Sequence, residues 1–232
     1  MKYFGNGLSQ LHKDLNAVIR KADRLDEAKE LFLMLHSKLN VSLISNTEQN
    51  EVDILLGDLE PDEYRIMPTS KDETIAWVLW HIARIEDLTM NILVAGCEQV
   101  FDDEWKKQLN VSVSDTGNAM SDDDMMELSQ EVNIEKLIAY RNTVAKRTRS
   151  IVRSLSAEDM RRNVSGQGLE TIRQIGGVTD QEDSLWLLDF WRKKDVAGLL
   201  LMPPTRHIIL HLNDCCRWKQ HIRDNRKCFR RI

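Results

Sequence analysis

The chain has 232 residues, 42% of them hydrophobic and 30% charged, which is enough to bury a core of ordinary size. It contains only 10 glycines and 4 prolines, too few for the many tight turns of a β-sandwich or barrel, so the composition favours helices. The formal net charge of −5 argues against nucleic acid as the main partner, because phosphate binding needs a clustered positive surface.

The first 58 residues contain three predicted helical segments. Residues 8–24 alternate apolar and charged side chains at helical spacing. A second helix is predicted to begin near Asp26, a plausible N-cap, and to end at Asn46. Its apolar stripe is formed by Ala28, Leu31, Phe32, Leu35, Leu39 and Leu43. Residues 51–58 predict a short helix or turn.

Residues 70–95 give the strongest helical pattern in the chain. One row of this helix carries Trp77, His81, Ile85, Leu88 and Ile92, and Gly96 is expected to end the helix. A second row is polar and carries Arg84, Asp87 and Asn91.

A long polar excursion follows, over residues 97–133, with one short helix expected at about 123–130. Residues 134–155 are predicted to be helical again. The inward-facing residues of that helix are Leu137, Ile138, Val144, Ile151 and Val152.

The last part of the chain begins with glycine-containing loops over residues 156–184 and a short helix over 184–190. Pro203 and Pro204 are expected to start a final helix that runs to about Arg226, since proline is tolerated in a first turn. Four long amphipathic helices with long connections and extra short helices predict an all-α four-helix bundle. No repeat or linker divides the chain, so one domain over residues 1–232 is expected.

The pattern of the four cysteines argues against a disulfide framework. No Cys-x-x-Cys pair occurs, and Cys215 and Cys216 are adjacent within a helical pattern, which fits a reducing compartment. Residues 1–6 lack the apolar core of a signal peptide, and the longest apolar stretch, residues 75–82, is too short to span a bilayer. A cytoplasmic protein without membrane contact is therefore expected.

Basic residues are crowded at the C-terminus. They are Arg223, Arg226, Lys227, Arg230 and Arg231. We interpret them as the solvated end of the final helix, where cations interact favourably with the helix dipole, and not as a nucleic-acid site.

His207 and His211 are the first candidate metal ligands. Residues four apart on a helix share one face, with Cβ atoms about 5–6 Å apart, and two imidazoles at that distance can chelate one ion. Positions 208–210 are Ile, Ile and Leu, so the helix lacks the glutamate of a His-Glu-x-x-His metalloprotease motif.

His81 is the third candidate ligand, because it lies in the apolar row of a different long helix. A lone core histidine is usually satisfied by a backbone carbonyl, but facing helices of a bundle also build metal sites from inward side chains. His81, His207 and His211 would leave a coordination position open for water or substrate. Cys215, one turn beyond His211, is either a fourth ligand or a small buried side chain. The other three histidines are weaker candidates. His12 is expected to be exposed and His36 to lie in the core or at its boundary. His221 is rotated away from the row of His207 and His211.

Two segments together resemble the DinB/YfiT-like superfamily. Residues 74–87 (TIAWVLWHIARIED) are similar to its second-helix motif, in which a histidine follows a tryptophan-containing apolar run. Residues 206–212 (RHIILHL) are similar to its last-helix His-x-x-x-His motif. The resemblance covers about residues 26–226.

This resemblance implies an up-down-down-up four-helix bundle. It also implies a divalent metal ion, commonly zinc or nickel, held by His81, His207 and His211. Members of the superfamily include transferases and isomerases that use low-molecular-weight thiols such as bacillithiol or mycothiol, and others are classed as metal-dependent hydrolases. The implied substrate is therefore a small molecule, and the implied assembly is a homodimer.

Three hypotheses follow for function. In the first, a metal ion activates water or a thiol as the nucleophile of a hydrolase or S-transferase. Glu86 and Asp87 are then candidate groups for orienting an imidazole, although helical rotation places both off the His81 row. In the second, the ion only holds a non-catalytic, stress-response bundle together. In the third, the histidines are simply buried in a helical interaction protein.

Overall fold

The computed structural model describes residues 4–5, 7–224 and 227–231, and within these ranges the protein is helical. The only β-type pairings there are two isolated bridges, Met67 with Arg230 and Asn163 with Asp195, and no strand is formed. The predicted all-α fold class is confirmed.

Four α-helices are formed in the first part of the chain. They are α1 (Leu8–Val18), α2 (Leu25–Ser37), α3 (Glu51–Leu56) and α4 (Ile75–Asp87), and α4 continues directly into a π-helical segment, Leu88–Val94. Thr74 caps α4 by accepting a hydrogen bond from the Trp77 amide, and Gly96 follows the helix with φ of 65°.

Seven more α-helices follow. They are α5 (Asp103–Leu109), α6 (Asp122–Glu131), α7 (Ile134–Ser154), α8 (Gly166–Gln174), α9 (Glu182–Arg192), α10 (Val196–Leu200) and α11 (Ile208–Arg223). A second π-helical segment, Met202–His207, leads directly into α11 and contains both prolines.

Several predicted boundaries are wrong. α1 ends at Val18, and a short 3-10 turn, Ala22–Arg24, leads straight into α2. Asp26 therefore lies inside the first turn of α2, where its charge favours the helix dipole but its side chain caps nothing. The final helix is described as far as Arg223, and its expected end at Arg226 lies outside the described residues.

The excursion after α4 is more ordered than predicted, because it contains α5 as well as α6. Asp102 caps α5 by accepting a hydrogen bond from the Trp105 amide at 2.8 Å. α8 and α10 were also not predicted, and polar side chains, Ser165 and Asp195, cap both of them.

Helix α4 is the centre of the fold. Every residue from Ile75 to Val94 is buried, including the polar ones. α4 packs against α6, α7 and α11, whereas α2 packs against α1, α7 and the start of the last helix. The four long helices thus share one core, and the up-down-down-up order and the single domain remain predictions.

None of the described helices has both the length and the apolar content needed to cross a bilayer. Cys97, Cys215 and Cys216 are free thiols. The C-terminal basic residues are not simply solvated: Arg223 pairs with Asp58 and Glu63, and Arg230 pairs with Asp122 and Asp123.

Candidate metal centre

The three predicted histidines converge at the contact between α4 and the last helix. One ring nitrogen from each of His81, His207 and His211 lies within 4.8 Å of the other two. His81 is on α4, His207 is the last residue of the second π-helical segment, and His211 is in the first turn of α11. Among the described residues, this is the cluster of ligand-type side chains whose spacing suits a metal ion.

The distance between the two helices at this point suits a shared ion. The Nε2 atoms of His81 and His207 lie 3.1 Å apart. Two nitrogen ligands that are each about 2.0–2.1 Å from one metal ion lie roughly 3 Å from each other. The ring centroids of His207 and His211 are 4.6 Å apart, so the last helix presents both rings to the same region.

His81 is held in one orientation by two contacts. Its Nδ1–H donates to the Thr116 carbonyl at 2.7 Å, which leaves the lone pair of Nε2 facing the other two histidines. The ring also stacks on the Trp77 indole, with centroids 4.6 Å apart. Because both contacts come from buried groups, the ring has little freedom to turn away.

The Thr116 contact is one of four that fasten residues 114–117 along α4. Side chains of α4 donate hydrogen bonds to the four successive carbonyls of this segment, and the bond from His81 to Thr116 is the third of them. The other three are Arg84 to Ser114, Trp80 to Asp115 and Trp77 to Gly117, at distances of 2.8 to 3.2 Å. We call residues 114–117 the α4 strap. The excursion after α4 therefore contributes directly to the histidine site.

The three imidazoles are neutral near pH 7. Burial lowers the pKa of His81 to about 3, and the neighbouring His211 adds to this effect. Burial also lowers the pKa of His211 to about 4 and that of His207 well below its ordinary value. A neutral imidazole is the form that binds a metal, so no proton has to be removed first.

Two ring nitrogens of the last-helix pair have no hydrogen-bond partner. They are the Nδ1 atoms of His207 and His211, which are buried. In His207 it is Nε2 that faces His81, so Nδ1, on the other side of the ring, would not bind the same ion. His81 is buried, whereas His207 and His211 are partly buried.

The other histidines and Cys215 lie outside this cluster. His36 is a core residue whose Nε2 hydrogen-bonds the buried Glu86 carboxylate at 3.0 Å. His12 is half-buried, not exposed, and its Nε2–H donates to the Leu201 carbonyl. Burial raises the pKa of the Cys215 thiol well above its ordinary value, so it is a neutral core side chain.

The candidate orienting roles of Glu86 and Asp87 are wrong. Glu86 points towards α2 and bonds His36, away from the cluster. Asp87 accepts hydrogen bonds from Tyr140, Asn91 and the backbone amides at the start of the excursion. The group that orients His81 is instead a main-chain carbonyl, which has no distinctive sequence pattern.

Comparison with known proteins agrees with this fold and with part of the site. The sequence model of the DinB superfamily matches residues 46–182, more than half of the chain. The chain belongs to the DinB superfamily. No curated protein sequence matches it.

The matched part of this DinB-superfamily protein contains His81 and the α4 strap but ends before the last helix. His207 and His211 are therefore linked to the site by geometry and not by the family match. Both ligand-bearing helices also carry a π-helical segment: Met202–His207 contains His207, and Leu88–Val94 begins seven residues after His81. Such segments are rare in proteins and are frequent at functional sites.

Proposed function

We propose that this protein is a metal-dependent enzyme of the DinB superfamily, with a divalent ion held by His81, His207 and His211. The observation that carries the proposal is the convergence of three neutral imidazole nitrogens within 4.8 Å. Three imidazoles suit zinc and nickel, the metals that the family resemblance implies, and also copper or iron.

Three ligands favour catalysis over a purely structural role. Structural zinc sites are usually closed by four protein ligands, whereas catalytic sites keep one position for water or substrate. Cys215, the candidate fourth ligand, is not part of the cluster. His207 and His211 are partly exposed, and a small molecule would have to reach the ion from their side.

The protein's own side chains would hold the site and exclude water from one side. Trp77 covers one face of His81, and the Thr116 carbonyl directs the His81 lone pair towards the other two rings. The ion, when bound, would lower the pKa of a coordinated water molecule or thiol. The two reactions proposed are accordingly hydrolysis and transfer of a low-molecular-weight thiol to an electrophile, by a protein acting as a homodimer.

Metal analysis of freshly purified protein tests the site. We expect about one equivalent of a divalent metal in the native protein and a loss of most of it in His211→Ala. His221→Ala is the matched control, since it removes a histidine that lies on the same helix but outside the cluster. Full metal content in His211→Ala would contradict the proposed site.

The reaction is tested separately with the metal-loaded protein. A nitrophenyl ester reports hydrolysis, and an activated aryl chloride with a small thiol reports S-transfer. Either activity should require the metal and be lost with it in His211→Ala. A fully loaded protein that is inactive with a broad range of esters and electrophiles would instead favour the non-catalytic metal-binding bundle.

A further inference from the structure

A second site is suggested by a long cleft between α1, the end of α9 and the last helix. It consists of two adjoining hollows, of about 790 and 580 Å³, that share His12, Arg206 and Leu210. Small-molecule sites typically occupy about 300–1,000 Å³. None of the three histidines of the candidate metal centre lines either hollow.

The cleft is cationic although the chain is acidic. Its lining contains six Lys or Arg side chains and two carboxylates, Asp195 and Asp214, which gives 6 − 2 = +4, in a chain of formal net charge −5. The six cations are Lys13, Arg20, Lys193, Lys194, Arg206 and Arg217.

Helical spacing explains how dispersed residues share one surface. On the last helix, Arg206, Leu210, Asn213 and Arg217 follow each other at intervals of three or four residues and form one stripe. On α1, Ser9, His12, Lys13 and Asn16 lie on one face, and Arg20 follows just beyond the end of the helix. Lys193 and Lys194 join them directly after α9 ends.

Four of the six cations remain available to a ligand. Arg20 is neutralised by Asp195 through two hydrogen bonds of 2.7 Å, and Arg217 is neutralised by Asp214. The other four cations are Lys13, Lys193, Lys194 and Arg206. They form no ion pair in the described part of the chain. The Lys194 ammonium is held at 4.5 Å from the centre of the Phe190 ring, which fixes it at the cleft wall.

We propose that this cleft binds a small molecule that carries two or more carboxylate or phosphate groups. The unpaired cations flank the half-exposed Leu210 and the partly buried Phe190, so the ligand would place its anionic groups at the rim and its less polar part on these side chains. The site is separate from the proposed metal centre and does not depend on it.

The shape of the surface favours a small anion over a macromolecule. The cations line a concave cleft, whereas a flat membrane would contact exposed rims only. Nucleic acid requires a continuous basic stripe, and the negative net charge opposes its approach.

Calorimetric titration of the full-length protein with two probes tests the proposal. Fructose bisphosphate represents the phosphate source and adipate the dicarboxylate source; each has two anionic groups joined by a spacer. We expect saturable binding of at least one probe, weakened at least about tenfold in the double variant Lys13→Gln, Arg206→Gln. Both side chains are exposed, so their replacement should leave the thermal unfolding temperature unchanged.

The matched control is Lys107→Gln, Lys146→Gln, which makes the same change of net charge at exposed positions outside the cleft. This control should retain the wild-type affinity within about twofold. An equal loss in both double variants would show only a general electrostatic effect and overturn the proposal. The proposal would also be overturned if neither probe bound, or if the protein bound only anionic vesicles or duplex DNA.

Discussion

Trp77 lies flat against His81, with its ring plane inclined by only 9° to the imidazole, while its indole N–H donates to the Gly117 carbonyl in the α4 strap. One side chain thus connects the position of the strap to the orientation of a proposed metal ligand. A disturbance of the strap at Gly117 should therefore reach the metal site through Trp77.

Gly117→Ala is expected to weaken metal binding. Gly117 has φ of 78°, and an added Cβ would come within 2.7 Å of the Trp77 Nε1 atom. Displacement of the indole removes support from His81, and changes to groups that orient metal ligands typically cost about 10–100-fold in affinity. A competition titration with a chromogenic chelator measures this change.

Gly96→Ala is the control for backbone strain. Gly96 also has a positive φ, 65°, but an added Cβ there would meet nothing within 4 Å. Both variants should lose about 1–2 kcal/mol of unfolding free energy from the left-handed backbone, while only Gly117→Ala loses metal affinity. Equal metal affinities in the two variants would show that the strap does not position His81.

Divalent metal is expected to stabilise the protein against heat. An ion present at about 100 times its Kd and bound only to the folded state adds about 2.7 kcal/mol, or roughly 5–10 °C in Tm for a chain of this size. Thermal unfolding of chelator-treated protein with and without added zinc or nickel measures the shift. His207→Ala should show no such rise, and an undiminished rise would place the ion elsewhere.

Asp87→Ala is expected to destabilise the fold strongly. The carboxylate is fully buried and accepts hydrogen bonds from Tyr140 at 2.6 Å and from the amides of Val100 and Phe101, and it also pairs with Arg84. Removal of one partner of a buried ion pair typically costs about 3–5 kcal/mol. Chemical denaturation measures the loss, and Asp180→Ala, which breaks an exposed pair with Arg173, should cost less than about 1 kcal/mol.

Asp58 is expected to make stability fall in acid. Hydrogen bonds from Lys219 and Arg223 lower the pKa of its carboxyl group to about 2. A carboxyl group whose pKa is lower in the folded than in the unfolded protein stabilises the fold above its unfolded pKa, about 3.9, and this contribution is lost as the pH falls towards 2.

Denaturation of Asp58→Asn at several pH values measures this effect. The variant should be less stable than the wild type at pH 6, and the difference should shrink between about pH 4 and pH 2. The control Asp23→Asn removes an exposed carboxylate from the turn between α1 and α2 and should follow the wild type throughout. A difference for Asp58→Asn that is independent of pH would rule out its charge as the cause.

The periodicity of the sequence predicted the long helices, and together with the family resemblance it predicted that the three histidines converge. His81 lies in the apolar row of α4, and the spacing of His207 and His211 places them on one face of the last helix. These predictions succeed because the burial of apolar rows fixes which faces of two packed helices meet.

The contacts that orient the site could not be predicted in the same way. The Thr116 and Gly117 carbonyls are main-chain groups, so no residue type marks them as partners of His81 and Trp77. The short helices α5 and α8 were missed because one or two helical turns are too few to show a clear period in the spacing of apolar residues. Lys13 and Arg206 are far apart in sequence, and only the folded chain brings them to one cleft.

Anomalous diffraction from crystals of the metal-loaded protein, recorded on both sides of the zinc and nickel absorption edges, tests the central claim most directly. We expect one strong peak about 2.0–2.1 Å from a ring nitrogen of each of His81, His207 and His211. A peak at other residues, or none at these three in protein that carries stoichiometric metal, would contradict the account.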